Sequence, residues 1–385
     1  MSREKVRLGD IAEFSNGINF GKDDYGKGIK IIGVSNFGDK FSPEYDSLTE
    51  VKEEVVKSND YLYPGDIVFV RSNGNKELVG RCMLIDNKAD KVTYSGFCIR
   101  ARLKDTTKHN PTFWTYYFKN QSFRKAMAGT AVGANIQNLS QGRLADYVTT
   151  VPDYDSQVRI AQWLSVYDNL IEKNKKQIKL LEEAAERLYR EWFVDLHFPG
   201  CEDVKIVDGV PKGWLDGTVG NIALFKRGKT ITKAQIHKGN VPVVAGGLEP
   251  AYYHNVANTV APVITISGSG ANAGFARLYN VDVFASDCSF VDSQTTPYLF
   301  WVYCFIKDSK AKLDSLQKGA AQPHVYAKDI NALKIYIPTD DILDRFCKVV
   351  APYFGKIKNL QRQNDLLLQA RDRLLPRLMS GEVEV

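Results

Sequence analysis

The chain has 385 residues, 44% hydrophobic and 25% charged, which is the balance of a soluble globular protein with room for two or three domains. No apolar run approaches a bilayer span and the charged stretch Met1 to Asp10 has no signal-peptide core, so a cytoplasmic protein is expected. Six scattered cysteines without a Cys-x-x-Cys pair argue against a disulfide framework or a structural zinc, and a net charge of +6 alone is weak evidence for a nucleic-acid partner.

In chain order, Leu8-Gly9-Asp10-Ile11-Ala12-Glu13-Phe14 followed by Gly17 opens the first half. Asp66 to Val70 is a short β-prone run, followed by the polar glycine loop Arg71-Ser72-Asn73-Gly74-Asn75. Pro111 opens an aromatic helix, Phe113 to Phe118, and Val148 to Val151 reads as a strand ending at Pro152. From Gln157 to Val194 the pattern predicts an unbroken helix about 55 Å long, capped by Asp153 or Ser156. The stretch Pro199 to Trp214 has prolines, glycines and no periodicity, and reads as a linker.

These landmarks then recur. Val219-Gly220-Asn221-Ile222-Ala223-Leu224-Phe225 and Gly228 match the opening at an offset of 211 residues. Pro262 to Ile266 is the second β-prone run, with Ser267-Gly268-Ser269-Gly270-Ala271-Asn272 as its glycine loop. Pro297 matches Pro111 and Ile337-Pro338 matches Val151-Pro152 at an offset of 186, so the second copy is 25 residues shorter between landmarks. Such a duplication suits two modules that share a scaffold but differ in a recognition surface.

The end of each half carries the same heptads. The first seam reads Ile160, Leu164, Tyr167, Ile171, Asn174, Ile178, Leu181, Ala185, Leu188, Trp192. At an offset of 186 it becomes Phe346, Val350, Tyr353, Ile357, Leu360, Asn364, Leu367, Arg371, Leu374, Leu378. Alternating steps of four and three are the mark of helices packed through a narrow seam. The second helix, about Asp341 to Met379, contains Pro352 and Pro376; a break is expected near Ala351-Pro352 and a distorted last turn at Pro376. If the helices pack antiparallel about a pseudo-twofold axis, Asn174 and Asn364 share the midpoint of the seam and would set its register; the alternative is that each faces solvent.

Glu182 to Val194 resembles the central helix of type I restriction–modification specificity subunits. Pro211-Lys212-Gly213-Trp214 with Val219-Gly220-Asn221-Ile222 resembles the start of their second target-recognition domain, and Arg373 to Val383 their C-terminal conserved region. Tyr63-Pro64-Gly65-Asp66-Ile67 matches a motif of the first recognition domain. The resemblance covers the whole chain. It implies an α+β fold: two pseudo-twofold-related mixed α/β target-recognition domains separated by a long antiparallel two-helix coiled coil. On that basis the chain divides into a first recognition domain over 1–152, a central helix over 153–198, a linker and second recognition domain over 199–338, and a C-terminal helix over 339–385. Each domain would read one half of a bipartite, asymmetric site in double-stranded DNA, with the coiled coil setting the spacer. Two adenine-methylating modification subunits, which carry S-adenosylmethionine, would dock on this chain, and motor-nuclease restriction subunits would join them. No cofactor or metal is expected on the chain itself. Pro352 departs from the family pattern.

Side chains that read base edges are chiefly Arg, Lys, Asn and Gln. The first domain offers Arg71, Asn73, Asn75 and Lys76 in one loop, and Asn135, Gln137, Asn138 and Gln141 in Thr130 to Gln141. The second offers Ser269 and Asn272, with Lys318, Gln322 and His324 in Gln317 to His324. Lys226, Arg227, Lys229 and Lys233 form a basic cluster suited to phosphates, with Lys22 a weaker equivalent. The plain alternative for each loop is a solvated turn. Lys173, Lys175, Lys176 and Lys179 read as a solvated helix face.

No catalytic constellation stands out. Asn110-Pro111-Thr112-Phe113 resembles an amino-methyltransferase motif but has Thr in third place and no cofactor loop, so a helix start explains it better. Gly268, Gly270 and Gly274 lack dinucleotide spacing, and the five histidines lack metal-ligand spacing. A fused methyltransferase–specificity protein and a plain coiled-coil scaffold are the competing readings.

Overall fold

The computed structural model describes residues 2–38, 40–75, 78–86, 91–128, 137–319 and 323–384, with only the backbone of 128 and 137. The chain divides into two compact units, Met1–Lys173 with Asn364–Val385, and Asn174–Gln363. Each unit contains a mixed α/β domain and one half of each of two long helices, Tyr154–Phe193 and Asp340–Ser380.

Both domains follow one plan. In the first, Arg3–Arg7 pairs antiparallel with Val148–Pro152, which leads into the first long helix. An antiparallel sheet has the order Ala12–Asn16, Cys98–Leu103, Ile67–Val70, Cys82–Leu84. A smaller sheet has the order Glu50–Val51, Tyr25–Ile32, Val92–Tyr94, its last pair parallel. In the second unit Leu215–Thr218 pairs with Lys334–Ile337, ahead of the second long helix. Its larger sheet runs Lys226–Arg227, Cys288–Asp292, Val263–Ser267, Ala276–Tyr279, and its smaller one Tyr252–His254, Val241–Val244, Phe284–Ala285, again ending in a parallel pair. Order and direction agree strand for strand, so the sequence repeat is a repeat of topology.

The repeated motifs have local causes. Tyr63-Pro64-Gly65-Asp66 is a tight turn in which Asp66 N donates to Tyr63 O at 2.9 Å and Gly65 takes φ +97°. It delivers the buried Asp66 carboxylate to Arg102, whose Nε and Nη2 donate to it at 2.7 and 2.6 Å. Pro111 opens the helix Pro111–Lys119, and Asn110 Oδ1 accepts from Phe113 N at 2.9 Å, as the helix-start reading requires. Its counterpart Leu299–Asp308 buries Trp301, Val302, Phe305 and Ile306.

Gly17 and Gly228 recur because backbone passes over both. A Cβ at Gly17 would lie 2.1 Å from Tyr94 O, and one at Gly228 2.2 Å from Ser286 O. Gly17→Ala and Gly228→Ala are each expected to cost about 1–3 kcal/mol, because the obstructing atoms are backbone and cannot rotate away. Urea titration should show lower midpoints for both; wild-type midpoints would mean that the strands separate without cost.

The first long helix is capped by Asp153, whose Oδ1 accepts from Ser156 N at 3.0 Å. In the first unit Ile160 and Leu164 share a core with Leu375 and Leu378, and Asp168 meets Arg371. In the second, Asn174 Nδ2 donates to Gln363 Oε1 at 3.1 Å, while Tyr189 and Trp192 pack on Phe346. Rising numbers on one helix meet falling numbers on the other, so the helices are antiparallel within each unit. Asn174 is buried and donates to Gln363, the neighbour in sequence of Asn364; Asn364, half-buried, belongs to the first unit. Phe354 is more deeply buried than the seam residue Tyr353, because it stacks on Phe300 at a centroid distance of 4.4 Å.

One expectation needs correction. The helix Asp340–Ser380 continues through Pro352 and Pro376 without a break. Pro352 and Lys348, whose carbonyl loses its usual donor, are both exposed, so water can satisfy that oxygen. The stretch Pro199 to Trp214, read as a linker, contains a short hairpin. Ile206–Val207 pairs with Val210–Pro211 around Asp208 (φ 51°) and Gly209 (φ 80°), the positive φ values of a two-residue hairpin turn.

All six cysteines are free thiols. Burial pushes Cys82 up to about 11, and Cys98 and Cys288 up to about 12. Among the described residues no helix is long and apolar enough to cross a membrane.

Candidate nucleic-acid interface

In the first unit the core strand Ile67–Val70 runs directly into the glycine loop. Ser72–Asn73 pairs antiparallel with Gln137–Asn138, placing Gln137 opposite Asn73. Arg71 O accepts from Leu139 N at 2.8 Å, which closes the pair at its base. The two loops singled out separately in the sequence are therefore one surface. Asn73 Oδ1 accepts from Asn75 N at 2.7 Å, an Asx turn that shapes the tip and leaves the Asn73 amide nitrogen for another acceptor. The Arg71 guanidinium donates to Gly96 O at 3.2 Å, beside Phe97, which is 62% exposed. Asn75 and Asn138 are exposed.

Gln141 has a more internal place. With its amide nitrogen turned toward Phe14 O at 3.0 Å, its oxygen accepts from Asn16 N at 3.1 Å, tying the second loop to the edge strand. Ser140 Oγ accepts from Arg143 N at 3.1 Å and caps the short helix that follows. Lys76 and Asn135 lie outside the described residues, as does the side chain of Gln137.

The second unit repeats the construction with different side chains. Val263–Ser267 runs into the glycine loop, and Ser269 bridges to His324. Val325 N donates to Gly268 O at 3.1 Å and Gly270 N to Pro323 O at 3.0 Å. Lys318 and His324 exchange backbone bonds of 2.9 Å, closing the second loop. Asn272 is half-buried in the turn Gly270–Asn272. Ser269 Oγ donates to the Asp287 carboxylate. Lys318 Nζ reaches Asp329 at 2.8 Å, so part of its charge is already balanced. The His324 ring lies parallel to Tyr326, 5.9 Å away. Gln322 lies outside the described residues.

The basic cluster sits beside this loop pair. Lys226–Arg227 forms the edge of the larger sheet, opposite Phe290 and Ser289. Lys226, Arg227, Lys229 and Lys233 are all exposed. Arg227, Asp287, His324 and Tyr326 line a cleft of about 230 Å³. Exposed cations flanking a platform of amides and aromatics can bind phosphates at the rim and present donors to base edges at the centre. Lys22, the weaker equivalent in the first unit, is exposed at a helical turn, Lys22–Asp24.

Sequence reasoning missed Phe97, Asp287 and Tyr326. Phe97 and Asp287 sit in turns that cross over the repeated glycines, far in sequence from the loops they support. Tyr326 was legible as an exposed aromatic two residues after His324. Among the described residues, no group of three or more His, Cys, Asp and Glu is placed to hold a metal ion.

The description "Type I restriction modification DNA specificity domain" matches residues 3–183 and 211–367. The MjaIX specificity subunit of Methanocaldococcus jannaschii is 27% identical over 295 residues, covering 70% of this chain and 68% of its own. The HindI specificity subunit of Haemophilus influenzae is 21% identical over 423 residues, covering 86% and 88%. The solved S subunit of a type I restriction–modification system from M. genitalium covers 98% of this chain and 96% of its own, with 17% identity and a TM-score of 0.54, and so shares the fold. With two matched segments that span most of its length, the chain belongs to the family of type I restriction–modification DNA specificity subunits.

Proposed function

We propose that each unit reads one half of a bipartite, asymmetric sequence in cytoplasmic double-stranded DNA, and that the paired long helices set the spacer. The chain itself is non-catalytic and binds no cofactor. It docks two modification subunits that carry S-adenosylmethionine and methylate adenine, and restriction subunits join through them. The observation that carries this reading is that the same loop pair is built twice on the same sheet with different residues. Asn73 opposite Gln137 stands in one, Ser269 opposite His324 in the other. A shared scaffold with exchanged tips is what two different half-sites require.

The test is domain exchange. Residues 1–150 are replaced by the matching part of a relative with a different target, and the chain is co-expressed with its modification subunit. Methylome sequencing should show one half of the methylated site changed and the other kept. A change in both halves would refute modular reading, and methylation by the purified chain alone would refute a non-catalytic role.

Within the first half-site, Asn73→Ala and Asn73→Asp are expected to relax specificity at one position by roughly 1–3 kcal/mol, about 5- to 150-fold. Asn73→Asp retains the acceptor of the Asx turn and removes only the amide donor. If it behaves as wild type while alanine does not, Asn73 shapes the loop and does not read a base.

A further inference from the structure

The two copies of the repeat differ at one buried point. In the first unit Arg371 of the second long helix pairs with Asp168 of the first, with side chains 12% and 14% exposed. Tyr116 of the aromatic helix donates its hydroxyl to the same carboxylate. The repeat offset of 186 carries Tyr116 to Val302, Asp168 to Phe354, and Arg371 back to Ala185. All three equivalents are buried in the apolar core of the second unit. A charged cluster in one copy is hydrocarbon in the other.

Duplicated helices face a choice that unrelated helices do not. Both carry the same seam, so a first helix has an alternative partner in the first helix of another molecule, and a second helix likewise. The antiparallel register fixes what each pairing would bring together. Two first helices would set Asp168 against Ala185 of the other molecule. Two second helices would set Arg371 against Phe354. Pairing of two first helices buries two Asp168 carboxylates with no counter-ion, and pairing of two second helices buries two Arg371 side chains with only the exposed Asp372 of their own helix beside them, whereas the pairing seen within the chain joins Asp168 to Arg371. A lone buried charge is costly, while a satisfied buried pair adds little net stability, so such a pair acts mainly by discrimination. The seam amides do not discriminate in this way between first helices: Gln363 maps to Gln177, so Asn174 would still meet an amide, while between two second helices the exposed Gln363 would meet Leu360.

We infer that Asp168 and Arg371 determine which helix pairs with which, making each long helix accept the other and reject a second copy of itself. The inference rests on the repeat and its register, and stands apart from any reading of DNA.

Gln177 lies close to where a first helix would cross its own copy, and it is exposed. The full chain is prepared with Gln177→Cys and treated with a short bismaleimide; the parent without Gln177→Cys corrects for Cys201 and Cys347, which are partly exposed. Tyr116→Val/Asp168→Phe/Arg371→Ala gives the first unit the residues of the second. It is expected to raise the chain-to-chain product that depends on Gln177→Cys at least tenfold. If this variant does not fold, the neutral, near-isosteric Asp168→Asn/Arg371→Gln carries the same expectation. The reversed pair Asp168→Arg/Arg371→Asp should stay at the parent level. A folded neutral or transplanted variant within twofold of the parent overturns the inference, and so does a rise in the reversed pair.

Discussion

Arg371→Ala is expected to lower the stability of the first unit by about 3 kcal/mol, the usual cost of removing one partner from a buried ion pair. The loss comes from the group left behind. Asp168 is 14% exposed, so its carboxylate would face the seam with Tyr116 as its donor. Burial, and then the Asp168 carboxylate, push the Tyr116 hydroxyl far above its usual range, so Tyr116 stays protonated and goes on donating. It cannot replace the positive charge. For a unit of this size the loss corresponds to a drop on the order of 6–12 °C in the calorimetric transition. Asp168→Ala/Arg371→Ala should recover part of the loss by removing the stranded charge. If the double variant is no more stable than Arg371→Ala, the stranded carboxylate is not the cause.

Arg371 also marks the limit of what the heptads reveal. The seam placed it among leucines, opposite Ala185 in the repeat, and supplied no partner for it. Asp168 lies one residue off the seam, and only the antiparallel register brings it within reach. A period identifies a face, but the facing residue depends on an offset between helices that no local pattern contains. Phe354 shows the same limit, since Phe300 and Tyr303 of the domain pack on it from outside the heptad pattern.

Strong local chemistry was legible. Asn110-Pro111 and Asp153 start helices as cap rules require, and the runs before the two glycine loops are core strands. The smaller sheets were not legible. Their central strand in the second unit, Val241–Val244, contains Pro242, which reads as a breaker; the parallel pairing to Phe284–Ala285 starts only at Val243, past that proline. The hairpin at Asp208-Gly209 did have a sequence signal, hidden by its short strands. For the candidate interface, the two polar loops of each domain followed from the sequence, though not their strand-like pairing. The support from Gly96-Phe97 and Asp287 did not, because those turns reach the loops through the sheet.

Inserting seven residues into both long helices, between Lys173 and Asn174 and between Gln363 and Asn364, should lengthen the spacer of the methylated site by about three base pairs. Seven residues add about 10.5 Å of helix, and B-form DNA rises about 3.4 Å per base pair. Seven is also the length that restores the seam, since two turns later the apolar residues face the same way. An insertion of four residues in each helix adds about 6 Å but rotates everything beyond it by roughly 40° on the helix surface. In the second unit that rotation would carry Tyr189 and Trp192 away from Phe346, and in the first Asp168 away from Arg371, depending on which side yields. The four-residue variant should therefore lose stability and methylation together, while the seven-residue variant keeps both half-sites and moves them apart. Methylome sequencing of cells that carry each variant with the modification subunit separates the two outcomes. If the seven-residue variant methylates with an unchanged spacer, the helices do not set the distance between half-sites.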